Sequence, residues 1–210
     1  MFFRNRSLLT KVGLVIAAIL VAVFALSAFL SYRQQRAFTL DEAVDKARII
    51  AFEAIRAREY LSRELQAGEV ELSQRRYGLI PVVASTRIGE LVAEDLDYRI
   101  RQVSDRYRNP RNAPDSFELA QLEAFRADGE LAESYAITRL EGQPVFRYLR
   151  PFLAEESCLQ CHGEPGGAPA FLHRMFPPEQ DRAYNYRLGE VIGAASVIIP
   201  MVRLEEQILG

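Results

Sequence analysis

The chain has 210 residues, of which 49% are apolar, and its 26 basic and 28 acidic residues leave a formal net charge of −2. This length supports one substantial core with a membrane segment and leaves little room for a second large domain. Nucleic-acid binding needs a dominant basic face, so the nearly balanced charge argues against a DNA or RNA partner.

An apolar segment near the start of the chain predicts a membrane span. Residues 12–32 contain no charged side chain and match the ~20 residues that a helix needs to cross a bilayer. A cleaved signal peptide is the alternative, although its apolar region is normally shorter, at about 7–15 residues. The Ala-Leu-Ser triplet at residues 25–27 keeps that alternative open. Basic residues flank both ends, so charge alone does not set the orientation.

A long helix is predicted from Phe38 to about Leu65, because this region is rich in Ala, Glu, Arg and Leu and contains no Gly or Pro. Its apolar residues recur at a four-three spacing that is broken by Arg58. Such a spacing is compatible with a homodimer seam through residues 38–65 or with packing on the same chain. The many small residues in the seam favour packing on the same chain. We assign residues 33–75 to this membrane-proximal region.

A second helix is predicted from Pro81 to about Val103, since proline suits a first helical position. The segment 108–114, Arg-Asn-Pro-Arg-Asn-Ala-Pro, is then irregular because its prolines and asparagines interrupt regular structure. Asp115 and Glu118 have the spacing of a capping box, which predicts a short helix after this segment.

The last third of the chain predicts antiparallel strands. Two β-prone stretches at residues 135–140 and 145–149 flank the turn residues Glu141 and Gly142, which indicates a hairpin. Residues 191–199, rich in Val and Ile, predict the last strand. Helices therefore precede strands, and this order predicts an α+β fold.

Residues 158–162 read Cys-Leu-Gln-Cys-His, the C-x-x-C-H pattern of c-type haem attachment. Two thiols three residues apart can form thioethers with the two vinyl groups of one porphyrin, and the adjacent imidazole then faces the iron. The pattern predicts one covalent haem c at Cys158, Cys161 and His162. Such attachment takes place outside the inner membrane, so we expect residues 1–11 in the cytoplasm and residue 33 onward in the periplasm.

Two other interpretations of the cysteine pair fit less well. A disulfide between Cys158 and Cys161 would suit a thioredoxin-like motif, but no βαβ pattern surrounds it. A structural zinc site would use both cysteines with His162 and His173. Its spacing is poor, because His162 directly follows Cys161 and only ten residues separate the two histidines.

The second axial position of the iron has several candidates. His173 is the only other histidine in the chain, and Met175 and Met201 are the next choices. The Gly- and Pro-rich stretch at 163–169 would let His173 or Met175 fold back across the haem. An open or water-bound position is the remaining option.

Short motifs spread over most of residues 45–205 carry a resemblance to a known family. They are Ile80–Ala84, Ser104, Arg108–Asp115, Phe117, Glu118, Cys158–Gly163, Phe176, Pro177, Asp181, Ala183 and Gly189–Ala194. Together they resemble the single-c-haem, PAS-like periplasmic domains found in bacterial signalling proteins and as stand-alone small cytochromes.

The resemblance implies a PAS-like domain at residues 76–210, with long helices on the N-terminal side of an antiparallel sheet and the haem against that sheet. It also implies that the Arg-Asn-Pro loop lies near the haem, where Arg108 or Arg111 would contact a propionate. Some relatives use a cysteine as the distal ligand. This chain has no third cysteine, so that ligation does not carry over.

Two classes of function follow from these features. The first is a membrane-tethered monohaem cytochrome that transfers electrons to a redox partner protein or serves as an accessory subunit of a membrane complex. The second is a redox or small-gas sensor that acts through a separate signalling partner. No output segment follows Pro200, which favours the first class. No acid–base constellation is visible, so we do not expect an enzyme.

Overall fold

The helices and strands of the protein are described by a computed structural model that covers residues 7–68, 73–96 and 98–204. The helices are α1 Leu8–Gln66, α2 Pro81–Leu96, α3 Ser116–Ala127, α4 Glu156–His162 and α5 Ala170–Met175, and short 3-10 helices span Gln74–Leu79, Pro110–Asn112 and Pro165–Gly167. The strands are β1 Arg99–Val103, β2 Ser134–Leu140, β3 Gln143–Leu153 and β4 Val191–Pro200. Parts of the predicted regions, at residues 1–6, 69–72, 97 and 205–210, lie outside the described residues.

Helix α1 is a single uninterrupted helix of 59 residues. By length and composition it is apolar enough to cross a membrane, a test that an N-terminal signal sequence also passes. The sequence suggested a span at 12–32 and a separate helix from Phe38, whereas the structure joins them, because no Gly or Pro interrupts the chain between them. The chain divides into two compact units between Glu42 and Ala43, and the second unit contains the sheet and the C-x-x-C-H motif.

Part of the predicted seam on α1 is covered by the second unit itself. Val44 is 7% exposed, and Ala47 and Ala51 are fully buried. These small residues let a neighbouring element approach the helix closely. The interpretation that this face packs on its own chain therefore holds at these positions.

The four strands form one antiparallel sheet in the order β1-β4-β3-β2. The predicted hairpin is confirmed: β2 and β3 pair from Ser134 with Leu149 to Leu140 with Gln143. Its two-residue turn has positive φ angles at Glu141 (53°) and Gly142 (83°), as a type I′ turn requires. Strand β4 lies inside the sheet between β1 and β3, and eight consecutive residues of β4 are buried.

The prediction for the second helix is wrong at its C-terminal end. Helix α2 stops at Leu96, and residues 99–103 instead form β1, which pairs with β4 from Arg99 with Ile198 to Val103 with Ala194. Backbone pairing with the buried central strand and burial of Val103 outweigh the helical propensity of this segment.

Helix α3 covers one face of the sheet. Its predicted capping box is confirmed, because Asp115 Oδ1 accepts the Glu118 backbone N–H at 2.9 Å and Glu118 Oε2 accepts the Asp115 N–H at 2.9 Å. Leu122 and Phe125 then pack against the sheet in a core cluster that also contains Val103, Leu149 and Ala194. The cap thus orients α3 so that its apolar stripe faces β4 and β3.

A charged cluster is buried between α3 and the sheet. Arg147 on β3 is 2% exposed and contacts Asp115 Oδ2 at 2.8 Å and Glu118 Oε1 at 3.1 Å. Ser196 donates to Glu118 Oε1 at 2.8 Å, and Glu118 is fully buried. Burial alone would raise the pKa of Asp115, but the Glu118 N–H and the Arg147 guanidinium lower it below its usual value.

A second cluster joins α1 to the hairpin. Arg48 donates from Nε and Nη2 to the carboxylate of Glu133 at 2.9 and 2.6 Å, Tyr148 donates its hydroxyl to Glu133 at 2.6 Å, and Arg150 lies 3.5 Å away. The hydrogen bonds from Arg48 are the largest cause that lowers the pKa of Glu133 from 4.5 to about 2. Burial and the hydrogen bond to Glu133 raise the pKa of Tyr148 to about 12.

The Glu133 cluster predicts an acid-sensitive contact between α1 and the sheet. Because the pKa of Glu133 is lower in the folded state, its stabilisation is complete above pH 4.5 and is lost as the pH falls towards about 2. Urea unfolding midpoints measured across this range should fall more steeply for the wild type than for Glu133→Gln. Glu141→Gln, at a carboxylate whose side chain is 73% exposed, should leave the wild-type slope unchanged. Equal slopes for the wild type and Glu133→Gln would contradict the assignment.

Candidate cofactor site

Helix α4 carries the C-x-x-C-H motif directly after β3. Cys158 and Cys161 are three residues apart on this helix, so their thiols lie on the same side of it. Both are free thiols, with no disulfide between them. Within the described part of the chain, no three His, Cys, Asp or Glu side chains come together as metal ligands, so the zinc interpretation finds no ligand set.

The imidazole of His162 is held in one orientation. Its Nδ1 lies 2.6 Å from the carbonyl oxygen of Ala183, and its ring stacks on Tyr186 at 4.9 Å with an interplanar angle of 9°. A carbonyl only accepts, so Nδ1 carries the proton and Nε2 stays unprotonated. Burial, and then the charge of Arg108, lower the pKa of His162 to about 3. The ring is therefore neutral at physiological pH, the form in which imidazole binds metals.

Arg108 links the C-x-x-C-H motif to Asp181. Its Nε donates to Asp181 Oδ2 at 2.6 Å and its Nη2 donates to the Cys161 carbonyl at 3.1 Å. Asp181 also accepts the Ala183 backbone N–H at 2.9 Å, and Ala183 is the residue whose carbonyl holds His162. One chain of hydrogen bonds thus fixes the imidazole and the end of α4. Such outer partners set the orientation and basicity of a metal-binding histidine.

The thiols differ in their surroundings. Burial raises the pKa of the Cys161 thiol above its usual value. Cys158 instead faces α1, where Arg58 Nη2 lies 3.5 Å from its Sγ. The guanidinium of Arg58 also lies over the ring of Phe152, 4.4 Å from the centroid.

A cleft with mixed lining opens beside Cys161 and His162. Its apolar side chains come from α2 and the residue before it, from the sheet and from α5, and its charged lining is mainly arginine. The apolar residues include Ile80, Val82, Val83, Val103 and Ile192, and the arginines are Arg58, Arg87, Arg106, Arg108 and Arg111. Such a lining suits a flat apolar group that carries acidic substituents.

The structure brings only some of the predicted site residues together. Arg108 and Arg111 both line the cleft with Cys161 and His162, but Arg108 is ion-paired with Asp181, and the Arg111 side chain is 82% exposed. His173 is not among the described residues of this cleft, and its Nε2 lies 2.7 Å from the Pro165 carbonyl.

Three site residues escaped the sequence analysis. Tyr186 stacks on His162, and Arg106 lies over the Tyr186 ring at 4.1 Å. No sequence pattern marks these two. Arg58 could have been found from the sequence, because it interrupts the apolar spacing of α1. The structure shows that this interruption lies where α1 contacts Cys158.

Comparison with known proteins defines the family. Residues 33–200 match the Tll0287-like family, and the chain therefore belongs to it. The fold is similar to the crystal structure of the cyanobacterial haem protein Tll0287, with a TM-score of 0.63 and 26% identity over 76% of this chain and 95% of that one. A comparison with curated proteins found no significant match. The expected relationship to a haem-protein family is thereby confirmed.

Proposed function

We propose that the protein is a membrane-anchored, monohaem c-type cytochrome with a PAS-like haem domain in the periplasm. It transfers electrons to a redox partner protein or serves as the haem subunit of a membrane complex, and it is not an enzyme. The observation that carries the proposal is the C-x-x-C-H motif on α4, with a neutral His162 whose Nε2 is unprotonated, in a chain whose solved relative is a haem protein.

The residues present fit a covalently bound haem. Each thiol, at Cys158 and Cys161, would add across one vinyl group, so that sulfur bonds to one carbon, hydrogen goes to the other and nothing is oxidised. His162 would bind the iron through Nε2 while Ala183 retains Nδ1–H. The apolar lining of the cleft suits the porphyrin, and Arg108 or Arg111 in that lining would suit a propionate. When bound, haem supplies one-electron exchange between Fe(III) and Fe(II).

The anchor in this proposal is the apolar part of α1. Residues 12–32 would cross the inner membrane once, with the N-terminus in the cytoplasm, because haem attachment takes place on the periplasmic side. A tethered haem domain needs no further part to exchange electrons with a partner at the same membrane.

Absorption spectra of the detergent-solubilised full-length protein test this function. The haem should stay with the polypeptide after acid–acetone extraction, and the reduced protein should show a sharp low-spin c-type band. Carbon monoxide should leave this band unchanged if two protein side chains bind the iron, as suits electron transfer. Loss of haem on extraction would contradict covalent attachment.

A redox or small-gas sensor that acts through a separate signalling partner is the second candidate. The contact of Arg58 on α1 with Cys158 favours it, because this contact connects the motif to the long helix. A spectrum that carbon monoxide shifts readily would indicate an open sixth position and support the gas sensor over the electron carrier.

A further inference from the structure

Arg58 occupies an unusual place between two parts of the candidate site. It lines the cleft that contains Cys161 and His162, and it also lines a neighbouring groove that contains Cys158. Its guanidinium contacts Cys158 Sγ at 3.5 Å and the Phe152 ring at 4.4 Å. A porphyrin bonded to both cysteines would therefore be attached at the atom that Arg58 contacts.

Arg58 differs from Arg106 and Arg108, the two other arginines whose charges act on His162. Arg106 is paired with Glu190, and Arg108 is paired with Asp181. No carboxylate lies within ion-pair distance of Arg58 among the described residues. One face of its guanidinium is covered by the Phe152 ring, and the side chain is half-buried, so water screens this charge less than it screens an exposed arginine.

An uncompensated positive charge beside a haem acts on the two iron states unequally. Fe(III) carries one more positive charge than Fe(II), so a fixed guanidinium destabilises the oxidised form and raises the reduction potential. The same interaction acts in reverse, because oxidation of the iron repels the guanidinium and the helix that carries it. This reciprocity is a property of any coupling free energy.

We propose that Arg58 sets the reduction potential of the haem and couples the oxidation state of the iron to the segment of α1 at residues 43–66. The proposal rests on the proposed function, since it needs a haem at Cys158. It identifies a positioning residue on α1, within the compact unit that begins at Ala43.

Redox titration of the detergent-solubilised, haem-loaded full chain tests the proposal. At a fixed applied potential, Arg58→Gln should raise the ratio of oxidised to reduced haem by roughly 4- to 20-fold, the order of magnitude expected for removing one partly screened unit charge near the haem. Arg58→Lys should retain a ratio near that of the wild type. Arg56→Gln is the matched control, because the Arg56 side chain is 69% exposed on the same helix and is paired with Glu59.

Hydrogen exchange of residues 43–66 provides the second measurement. The wild type should show less protection there when oxidised than when reduced, and the difference should vanish in Arg58→Gln. Arg58→Met keeps a long side chain over Phe152 and replaces Arg58→Gln if the latter does not load haem.

The outcomes separate this inference from the proposed function. A wild-type chain without covalent haem overturns both. A loaded chain in which Arg58→Gln or Arg58→Met titrates as the wild type does, or in which Arg56→Gln shifts the ratio as strongly, overturns the role of Arg58 alone. Exchange that does not depend on the oxidation state overturns the coupling to α1.

Discussion

Replacing Cys158 and Cys161 together with serine should remove covalent haem from the protein completely. A serine hydroxyl does not form the thioether that a cysteine thiol forms with a vinyl group, so the only bonds that survive denaturation are lost. Haem-stained denaturing gels of membrane fractions should show a band for the wild type and none for the double variant. Each single variant leaves one thioether and should give a weaker band.

The control for this experiment is Ser157→Ala, one residue before the motif. The Ser157 hydroxyl is buried without a hydrogen-bond partner in the structure, so its removal should leave both folding and haem staining intact. A persistent stained band in the double cysteine variant would show that haem is held elsewhere. Immunodetection of equal protein in every lane distinguishes loss of haem from loss of the chain.

Arg147→Met should cause the largest loss of stability among single changes outside the motif. It leaves the buried carboxylate of Glu118 without its closest cation, and breaking a buried ion pair in this way typically costs about 3–5 kcal/mol. The remaining cation, Arg101, is 3.8 Å from Glu118 and compensates only in part. Urea unfolding followed by circular dichroism should show this loss as a lower midpoint.

Two further variants make the result specific to the buried cluster. Adding Glu118→Gln to Arg147→Met removes the unpaired charge, so the double variant should be more stable than Arg147→Met alone. Arg99→Met breaks an exposed pair with Glu141 at 3.5 Å and should cost less than about 1 kcal/mol. Similar losses for Arg147→Met and Arg99→Met would mean that the buried cluster contributes little.

Local chemistry explains which elements the sequence predicted. The capping box of Asp115 and Glu118 and the turn at Glu141 and Gly142 each depend on residues at most three positions apart, and both formed as expected. The C-x-x-C-H motif is local in the same sense, since its spacing alone places both thiols on one side of a single helical turn. A long helix without Gly or Pro also needs no distant partner to be recognised.

Contacts between distant residues explain what the sequence did not reveal. Residues 99–103 form a strand because β4, whose paired residues lie 91 to 99 positions later, provides backbone partners and a buried neighbour for Val103. Arg58 reached Cys158 across 100 residues, and Arg48 reached Glu133 across 85. The packing of helices and strands decides which arginine contacts which carboxylate or thiol. Ion pairs between distant residues have no characteristic sequence spacing, so the sequence does not reveal them.

The sequence by itself therefore predicted most of the helices and strands and the residue types of the candidate site, through residues at short, fixed spacings, but it did not predict β1. Only the tertiary structure decided which residues surround that site. His162 is neutral and is held by the Ala183 carbonyl, and Arg108 is paired with Asp181. Arg58 contacts Cys158 and has no carboxylate partner among the described residues. The physical reason is that hydrogen-bonding motifs act within a few residues, whereas burial and charge compensation depend on the packing of the whole domain.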